Sequence, residues 1–118
     1  MNKYIAIGNM TRDPELRYTP AGTAVCNFGV AMNRSWLTES GEKKEEVTFV
    51  DFTAFGRQAE AISQYCRKGK QVAIESRLKT ESWDDKTTGQ KRHRLVAIVE
   101  SIQFLGSKDG AGNAPQGE

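Results

Sequence analysis

The sequence predicts one all-β domain of five strands, with a single short helix between the third and fourth strands. Three observations predict it. Apolar and polar residues alternate along most of the chain, one segment alone has helical spacing, and two charged, glycine-containing stretches separate strands in the manner of hairpin loops. A chain of 118 residues is long enough for one domain with a modest core and too short for two.

The first two strands follow from period-two alternation. Residues 3–10 are predicted as a strand, after which an Asp-Pro turn and a short extended piece, LRYT, lead to a second turn at 20–22. The next strand, at 24–32, has an entirely apolar alternate set, which predicts one buried face: Ala24, Cys26, Phe28, Val30 and Met32.

The third strand, at 47–55, follows the charged stretch ESGEKKEE, which is predicted as a hairpin loop at 38–46. Period two places Val50, Phe52 and Ala54 on one side, as a core face. The opposite side mixes aromatic and polar groups, which is typical of a face in contact with water: Phe49, Asp51, Thr53 and Phe55.

A helix is predicted over 58–67, where Ala59, Ile62, Tyr65 and Cys66 recur at three-to-four spacing before a stop at Lys68-Gly69. Strands at 71–83 and 93–105 follow, joined by a second hairpin loop at 84–92. Three strands, a helix and two strands is the order of the OB-fold, a five-stranded Greek-key barrel that serves oligonucleotides and oligosaccharides. The domain is predicted to span 1–106, and the apolar-poor segment 107–118 is predicted to be a disordered linker.

Four aromatic residues stand among polar and charged neighbours and are poorly placed for a core: Trp36, Phe49, Phe55 and Trp83. A ring in that setting offers a flat face on which an unpaired base can stack, a contact worth about 1–3 kcal/mol and nearly indifferent to base identity. The pattern predicts single-stranded nucleic acid as the ligand. Alternative roles are a lid or a subunit contact for Trp36 and Trp83, and partial burial for Phe55. The other aromatic residues are predicted to pack or hydrogen-bond: Tyr4, Tyr18, Phe28, Phe52, Tyr65 and Phe104.

The net charge of +2 is low for a nucleic-acid binder, but it is unevenly distributed. Residues 37–56 carry two lysines and five carboxylates, a net charge of −3, which leaves +5 on the rest of the chain. Seven cations near the aromatic segments are candidate phosphate contacts: Lys3, Arg34, Arg57, Lys68, Lys79, Arg92 and Arg94. Solubility is the alternative role of each. Arg12 and Arg17 are expected to pair locally with Asp13 and Glu15.

No constellation for catalysis is evident, so the protein is predicted not to be an enzyme and to need no cofactor. Asp84-Asp85 reads as a solvated loop tip, His93 lies in a basic run, and Cys26, Cys66 and His93 lack zinc-site spacing. The two cysteines are expected to be buried free thiols. The N-terminal segment lacks the features of a signal peptide, and no apolar run approaches a membrane span, which predicts a cytoplasmic protein with no membrane role.

The chain closely resembles the bacterial single-stranded DNA-binding protein family over residues 2–106. The resemblance is carried by NKYIAIGNMTRDPELRYTPAGTAVCNF, RSW, FVDFTAFGRQAE, QYCRKGKQVAIESRLKTESW and QFLG. It implies an OB-fold protomer of a homotetramer that wraps and protects single-stranded DNA in replication, recombination and repair, near the nucleoid. It also implies base stacking at Trp36, Phe49, Phe55 and Trp83. The family often has tryptophan where this chain has Phe49, so a weaker platform is expected there.

Family members usually continue to an acidic tip that recruits replication and repair proteins, and the sequence ends at NAPQGE before such a segment. A fragment limited to the DNA-binding core is expected, or else a naturally tipless variant. Two other functions remain open, an OB-fold protein-interaction module and an RNA-binding OB domain.

Overall fold

The computed structural model describes residues 1–106, in which six strands and one helix follow one another. They are β1 (Tyr4–Met10), β2 (Glu15–Tyr18), β3 (Ala24–Leu37), β4 (Lys43–Phe55), α1 (Gly56–Tyr65), β5 (Gln71–Asp84) and β6 (Lys91–Phe104). The predicted linker at 107–118 lies outside the described residues. The predicted all-β class, with a helix between the third and fourth long strands, is confirmed.

Five of the strands close into a barrel. The sheet order is β1-β5-β6-β4-β3-β2, and an additional pairing of β1 with β3 closes the ring, so that β2 lies outside it. β2 pairs only with β3 and corresponds to the extended piece LRYT. This closed five-stranded barrel confirms the OB-fold prediction.

The barrel consists of a long β3–β4 ribbon and a long β5–β6 ribbon, with β1 paired to β5 along Tyr4–Asn9, and two short seams close it. β3 pairs with β4 from Val25↔Phe55 to Leu37↔Lys43, and β5 pairs with β6 along nearly their whole length. By contrast, β1 meets β3 only at Asn9 and Met10, and β4 meets β6 only at Phe52 and Thr53. At the first seam a Cβ on Gly8 would lie 2.8 Å from Val30 Cγ1, so this close crossing of β1 over β3 requires glycine.

Both ribbons extend beyond the barrel as exposed hairpin arms, which the sequence did not predict. The β3–β4 arm (33–47) and the β5–β6 arm (80–95) are almost wholly exposed. The loops predicted at 38–46 and 84–92 are therefore too long, since β4 begins at Lys43 and β6 begins at Lys91. The charged residues of these segments have the composition of a loop, but they form strand pairs. A ribbon that is solvated on both sides can do so because neither side needs apolar residues.

The core fills the barrel from the alternate positions that the sequence predicted. Phe28, Phe52 and Val30 are fully buried, and the rings of Phe28 and Phe52 stack with centroids 5.6 Å apart. Phe104 is partly buried against this cluster. Burying a side chain of this size stabilises the fold by about 1.5–3 kcal/mol. The predicted division of β4 into a core face and a water-facing side is confirmed.

The helix α1 begins two residues earlier than predicted and ends at Tyr65. Ala59 and Ile62 are buried, whereas Tyr65 is exposed at the end of the helix, where its ring packs against Phe104 with centroids 6.2 Å apart. Gly69 has the positive φ expected of a stop, +93°, but it lies beyond the helix in the turn that leads to β5. No helix within residues 1–106 is long and apolar enough to cross a membrane.

Both cysteines are free thiols within the core. Cys26 on β3 and Cys66 at the C-terminal cap of α1 belong to one buried apolar cluster. Burial raises the pKa of each thiol to about 11, because the thiolate would lose its hydration there. The thiols are therefore protonated and unreactive at neutral pH.

Candidate nucleic-acid interface

All four predicted stacking residues present their rings to solvent. The exposed fraction is 70% for Phe49, 47% for Trp83, 45% for Phe55 and 37% for Trp36. Each of these rings leaves a face free for a base, whereas the equally exposed Tyr18 hydrogen-bonds Glu60 and Tyr65 packs against Phe104. Phe55, for which partial burial was the alternative, is more exposed than Trp36.

Three of the rings share the outer side of the barrel wall. Residues that pair directly across a ladder point to the same side, so the register fixes each orientation. Phe49 and Phe55 lie on the outer side of β4 with Asp51 between them. The pairings of β6 with β4 and β5 place Arg94 and Trp83 on that side too. We call this side the outer face. Phe49 and Phe55 are about 20 Å apart along β4 and form separate platforms.

Trp36 lies on the other side of the β3–β4 ribbon. The ladder runs without a bulge from Ala31↔Phe49 to Trp36↔Lys44, and five positions along a period-two strand reverse the orientation. Trp36 therefore lies on the side of the ribbon that, within the barrel, faces the core. A strand of nucleic acid that contacts both Trp36 and Phe49 must pass around the β3–β4 arm.

A cleft opens where the two arms diverge above the β4–β6 seam. Its volume is about 470 Å³, and its lining includes Phe49 and Val50 of β4, Leu78 of β5 and Leu95 of β6. Leu95 is 65% exposed and faces the cleft. In the sequence it begins the continuous apolar run LVAIV, so nothing there distinguishes it from core residues. The cleft supplies an apolar wall beside Phe49 against which a base could insert.

Two of the predicted cations lie beside the tryptophans. The guanidinium carbon of Arg34 is 4.9 Å from the centroid of the Trp36 ring, and that of Arg94 is 6.0 Å from the Trp83 ring. Cation–π contact fixes both partners. Arg34 makes no ion pair within residues 1–106, so its guanidinium N–H groups are available to a phosphate, whereas Arg94 also donates to Glu81. Each tryptophan thus carries a base-stacking surface and an adjacent cation.

Several predicted phosphate contacts are already paired with carboxylates. Lys3 Nζ lies 2.6 Å from Glu100 and 3.2 Å from Glu75, which raises its pKa. Arg92 lies 3.1 Å from Asp85, and Arg94 lies 3.3 Å from Glu81. Within residues 1–106, Arg57, Lys68 and Lys79 are exposed and make no ion pair. The candidate cations therefore differ in their availability to an anion.

The local pairing predicted for Arg12 and Arg17 was wrong. Arg12 Nη1 lies 3.4 Å from Asp51 on β4, and Arg17 makes no ion pair within residues 1–106. Asp13, the expected partner of Arg12, instead accepts the backbone N–H of Lys68 at 2.8 Å. A partner 39 residues away could not be found from local sequence.

The loop tip at Asp84-Asp85 is a structural turn. The Asp85 carboxylate accepts the backbone N–H groups of Thr87 and Thr88 at 2.8 and 3.3 Å, and these bonds hold its pKa below the usual range. No cluster of three metal-ligating side chains occurs in the part of the chain that the structure describes.

The fold and the exposed rings define an OB-fold protein with aromatic and basic side chains on its outer face and on both sides of the β3–β4 ribbon. The Single-strand binding protein family matches residues 1–105, and this chain belongs to that family. It is 48% identical over 114 residues to the single-stranded DNA-binding protein of Helicobacter hepaticus and 46% identical over 117 residues to that of Wolinella succinogenes. Those matches cover 97% and 99% of this chain, which spans 66% and 72% of the two relatives.

Two solved structures share the fold. A deletion mutant of the Thermus aquaticus single-stranded DNA binding protein has a TM-score of 0.80 at 30% identity, over 92% of this chain and 52% of that one. The Plasmodium falciparum SSB in complex with ssDNA has a TM-score of 0.78 at 23% identity, over 90% of this chain and 96% of that one. The second likeness shows the fold alone.

Proposed function

We propose that this protein binds single-stranded DNA without sequence preference and wraps it, protecting the strand in DNA replication, recombination and repair. The observation that carries the proposal is the exposure of four aromatic rings, two with an arginine beside them, on an OB-fold of this family. Bases stack on Trp36, Phe49, Phe55 and Trp83, and each contact contributes about 1–3 kcal/mol.

Phosphates are neutralised by the cations around these rings. Arg34 is the foremost candidate because it adjoins Trp36 and makes no ion pair within residues 1–106. Arg57, Lys68 and Lys79, which also make none there, come next, followed by Arg94, which adjoins Trp83 but is held by Glu81. Arg92 and Lys3 must first leave their carboxylates, so we rank them last. A surface ion pair is worth only about 0–1 kcal/mol, which a polyanion can outcompete.

The protein acts as a homotetramer in this proposal. Besides the family resemblance, the outer side of β1 supports it, because Ile5 and Ile7 are 69% and 57% exposed. Two neighbouring exposed isoleucines on one strand form an apolar surface suited to a subunit contact. Wrapping one strand around several protomers adds avidity, so a weakly basic subunit suffices. Sedimentation of the wild type and of Ile5→Glu tests this. A wild-type monomer contradicts the assembly.

We also place the protein in the cytoplasm with the chromosomal DNA, as binding of exposed single strands requires. No catalytic step belongs to this function.

The deciding experiment is a titration of the intrinsic tryptophan fluorescence with oligothymidine at low salt. We expect strong quenching, and a fall of log K with log salt of about −0.7 per neutralised phosphate. Trp36→Ala and Trp83→Ala should each weaken binding, and Leu37→Ala, an exposed apolar residue next to Trp36, serves as the matched control. Unquenched fluorescence, together with variants of unchanged affinity, rules out the stacking mechanism.

The same assay separates the two alternatives. An RNA-binding domain would prefer oligouridine to oligothymidine of equal length, because it would contact the 2′-hydroxyl. A protein-interaction module would bind neither oligonucleotide tightly.

A further inference from the structure

Arg12 is held on the outer face by the backbone around it. The preceding residue, Thr11, donates its backbone N–H to the carbonyl of Gly29 on β3 at 2.9 Å. The following residue, Asp13, accepts the backbone N–H of Lys68 at 2.8 Å. With the chain fixed on both sides, the Arg12 side chain extends over the barrel wall towards Asp51.

Gly29 provides the space in which the guanidinium lies. A Cβ built on Gly29 would be 2.5 Å from Arg12 Nη1 and 3.3 Å from the Asp51 carboxylate. Gly29 pairs directly with Asp51 across the β3–β4 ladder, so both share the outer face. Any side chain at position 29 would displace the arginine from its position.

Arg12 and Asp51 line a polar groove of about 200 Å³, together with Thr53 and Arg94. The groove adjoins the cleft beside Phe49, because Asp51 and Leu95 line both. Two guanidinium groups thus flank one groove next to a stacking ring, and each is held by a carboxylate, Asp51 or Glu81.

The ion pair between Arg12 and Asp51 is weak enough for a phosphate to replace the carboxylate. Its separation is 3.4 Å, and the side chains of Arg12 and Asp51 are 46% and 82% exposed. Such a pair is weak, because water screens it on most sides. A phosphate offers the guanidinium two acceptor oxygens in the bidentate geometry that arginine favours.

We propose that Arg12 is a further single-stranded DNA contact, and that Asp51 holds its guanidinium until a phosphodiester of the bound strand replaces the carboxylate. This inference rests on the proposed function. Arg12 binds the phosphate next to the base on Phe49. Asp51 positions Arg12 in the free protein and opposes binding, because its released charge then lies beside a polyanion.

Oligothymidine affinity of the intact protein, measured by fluorescence anisotropy across a salt series, tests the proposal. Arg12→Ala should weaken binding about fivefold at low salt, the size of one surface ion contact. Its log–log salt slope should be shallower by about 0.7. Gly29→Ala keeps every charge but crowds the guanidinium and the Thr11 hydroxyl, which would lie 2.5 and 2.7 Å from the added Cβ, and it should weaken binding by a similar factor. Thermal unfolding verifies that both variants are folded.

A double-mutant cycle tests the role of Asp51. Asp51→Asn should tighten binding, and this gain should be smaller when Arg12 is already alanine, because only the relief of charge repulsion is then left and not the release of Arg12. Glu15→Gln is the matched control, because it removes the same charge from the same groove without touching the pair. Its effect should be independent of Arg12.

The outcomes are distinct. If the wild type does not bind oligothymidine, the proposed function fails and this inference with it. If the wild type binds but Arg12→Ala has the same affinity and salt slope, only this inference is overturned. If Asp51→Asn and Glu15→Gln tighten binding equally, both in the wild type and in Arg12→Ala, then Asp51 acts only through its negative charge, and its role in positioning Arg12 is overturned.

Discussion

Phe49 and Phe52 lie three positions apart on β4, yet truncation of Phe49 should weaken DNA binding and truncation of Phe52 should destabilise the fold. Phe49 is 70% exposed on the outer face, whereas Phe52 is 1% exposed and stacks on Phe28. Phe49→Ala removes a platform for a base. Phe52→Ala leaves a cavity in the core. One strand therefore allows binding and stability to be separated.

The magnitudes follow from these exposures. Phe49→Ala should weaken oligothymidine binding about 5- to 10-fold, since one stacked base contributes about 1–3 kcal/mol and a phenyl ring lies at the lower end. Its free energy of unfolding should change by less than about 0.5 kcal/mol, as for most surface substitutions. Phe52→Ala should lose about 3–5 kcal/mol of stability. Phe49→Trp should tighten binding, because the open cleft beside it admits a larger ring.

Fluorescence anisotropy of labelled oligothymidine gives the affinities, and urea unfolding gives the stabilities. Val47→Ala is the matched control, because Val47 is an exposed aliphatic residue on the same side of β4. It should leave affinity unchanged. Unaltered binding by Phe49→Ala, or a loss as large in Val47→Ala, would refute stacking at this position.

Three further outcomes are expected. Lys79→Ala should make the salt slope of DNA binding shallower by about 0.7, and Lys3→Ala should change it less because Glu75 and Glu100 already hold that ammonium; equal changes contradict the ranking. Burial raises the pKa of Cys26 and Cys66 to about 11, against an ordinary 9.0. Below pH 9 the thiols are protonated in both the folded and the unfolded protein, so their contribution to the free energy of unfolding is constant. Between pH 9 and 11 only the unfolded thiols ionise, and this contribution is lost. Urea unfolding should therefore show a steeper alkaline loss than in a variant with alanine at both positions, and parallel curves refute it. Ile62→Ala, at a fully buried position of α1, should cost about 2–5 kcal/mol of unfolding free energy, while Tyr65→Ala, which removes only the ring contact with Phe104, should cost about 0.5–1.5 kcal/mol.

The sequence predicted those parts of the interface that depend on local periodicity. Phe49 and Phe55 share a side of β4 because period two requires it, and Phe52 is buried for the same reason. The barrel could be predicted from the order of its elements. The arms could not, because their charged residues have the composition of a loop and only the cross-strand pairing shows that they are strands.

Features that join distant segments were also beyond the sequence. Trp36 is on the opposite side of its ribbon from Phe49, which follows from the pairing register and not from either residue's neighbours. The approach of Arg12 to Asp51 depends on Gly29, and nothing adjacent to Arg12 in sequence distinguishes it from Arg17. Leu95 faces the cleft because β6 separates from β4 above a two-residue seam.

That seam has a mechanical consequence. The β4–β6 pairing is confined to Phe52 and Thr53, and β4 extends from there to Lys43, about 30 Å at the usual rise per residue. A rotation of about 5° at this seam would move the arm tips by about 2.5 Å, and it would move the wall at Phe49, about 10 Å from the seam, by about 1 Å. We expect the gap beside Phe49 to widen or narrow at small energetic cost. Purines and pyrimidines differ in width, and a gap that adjusts can hold either one.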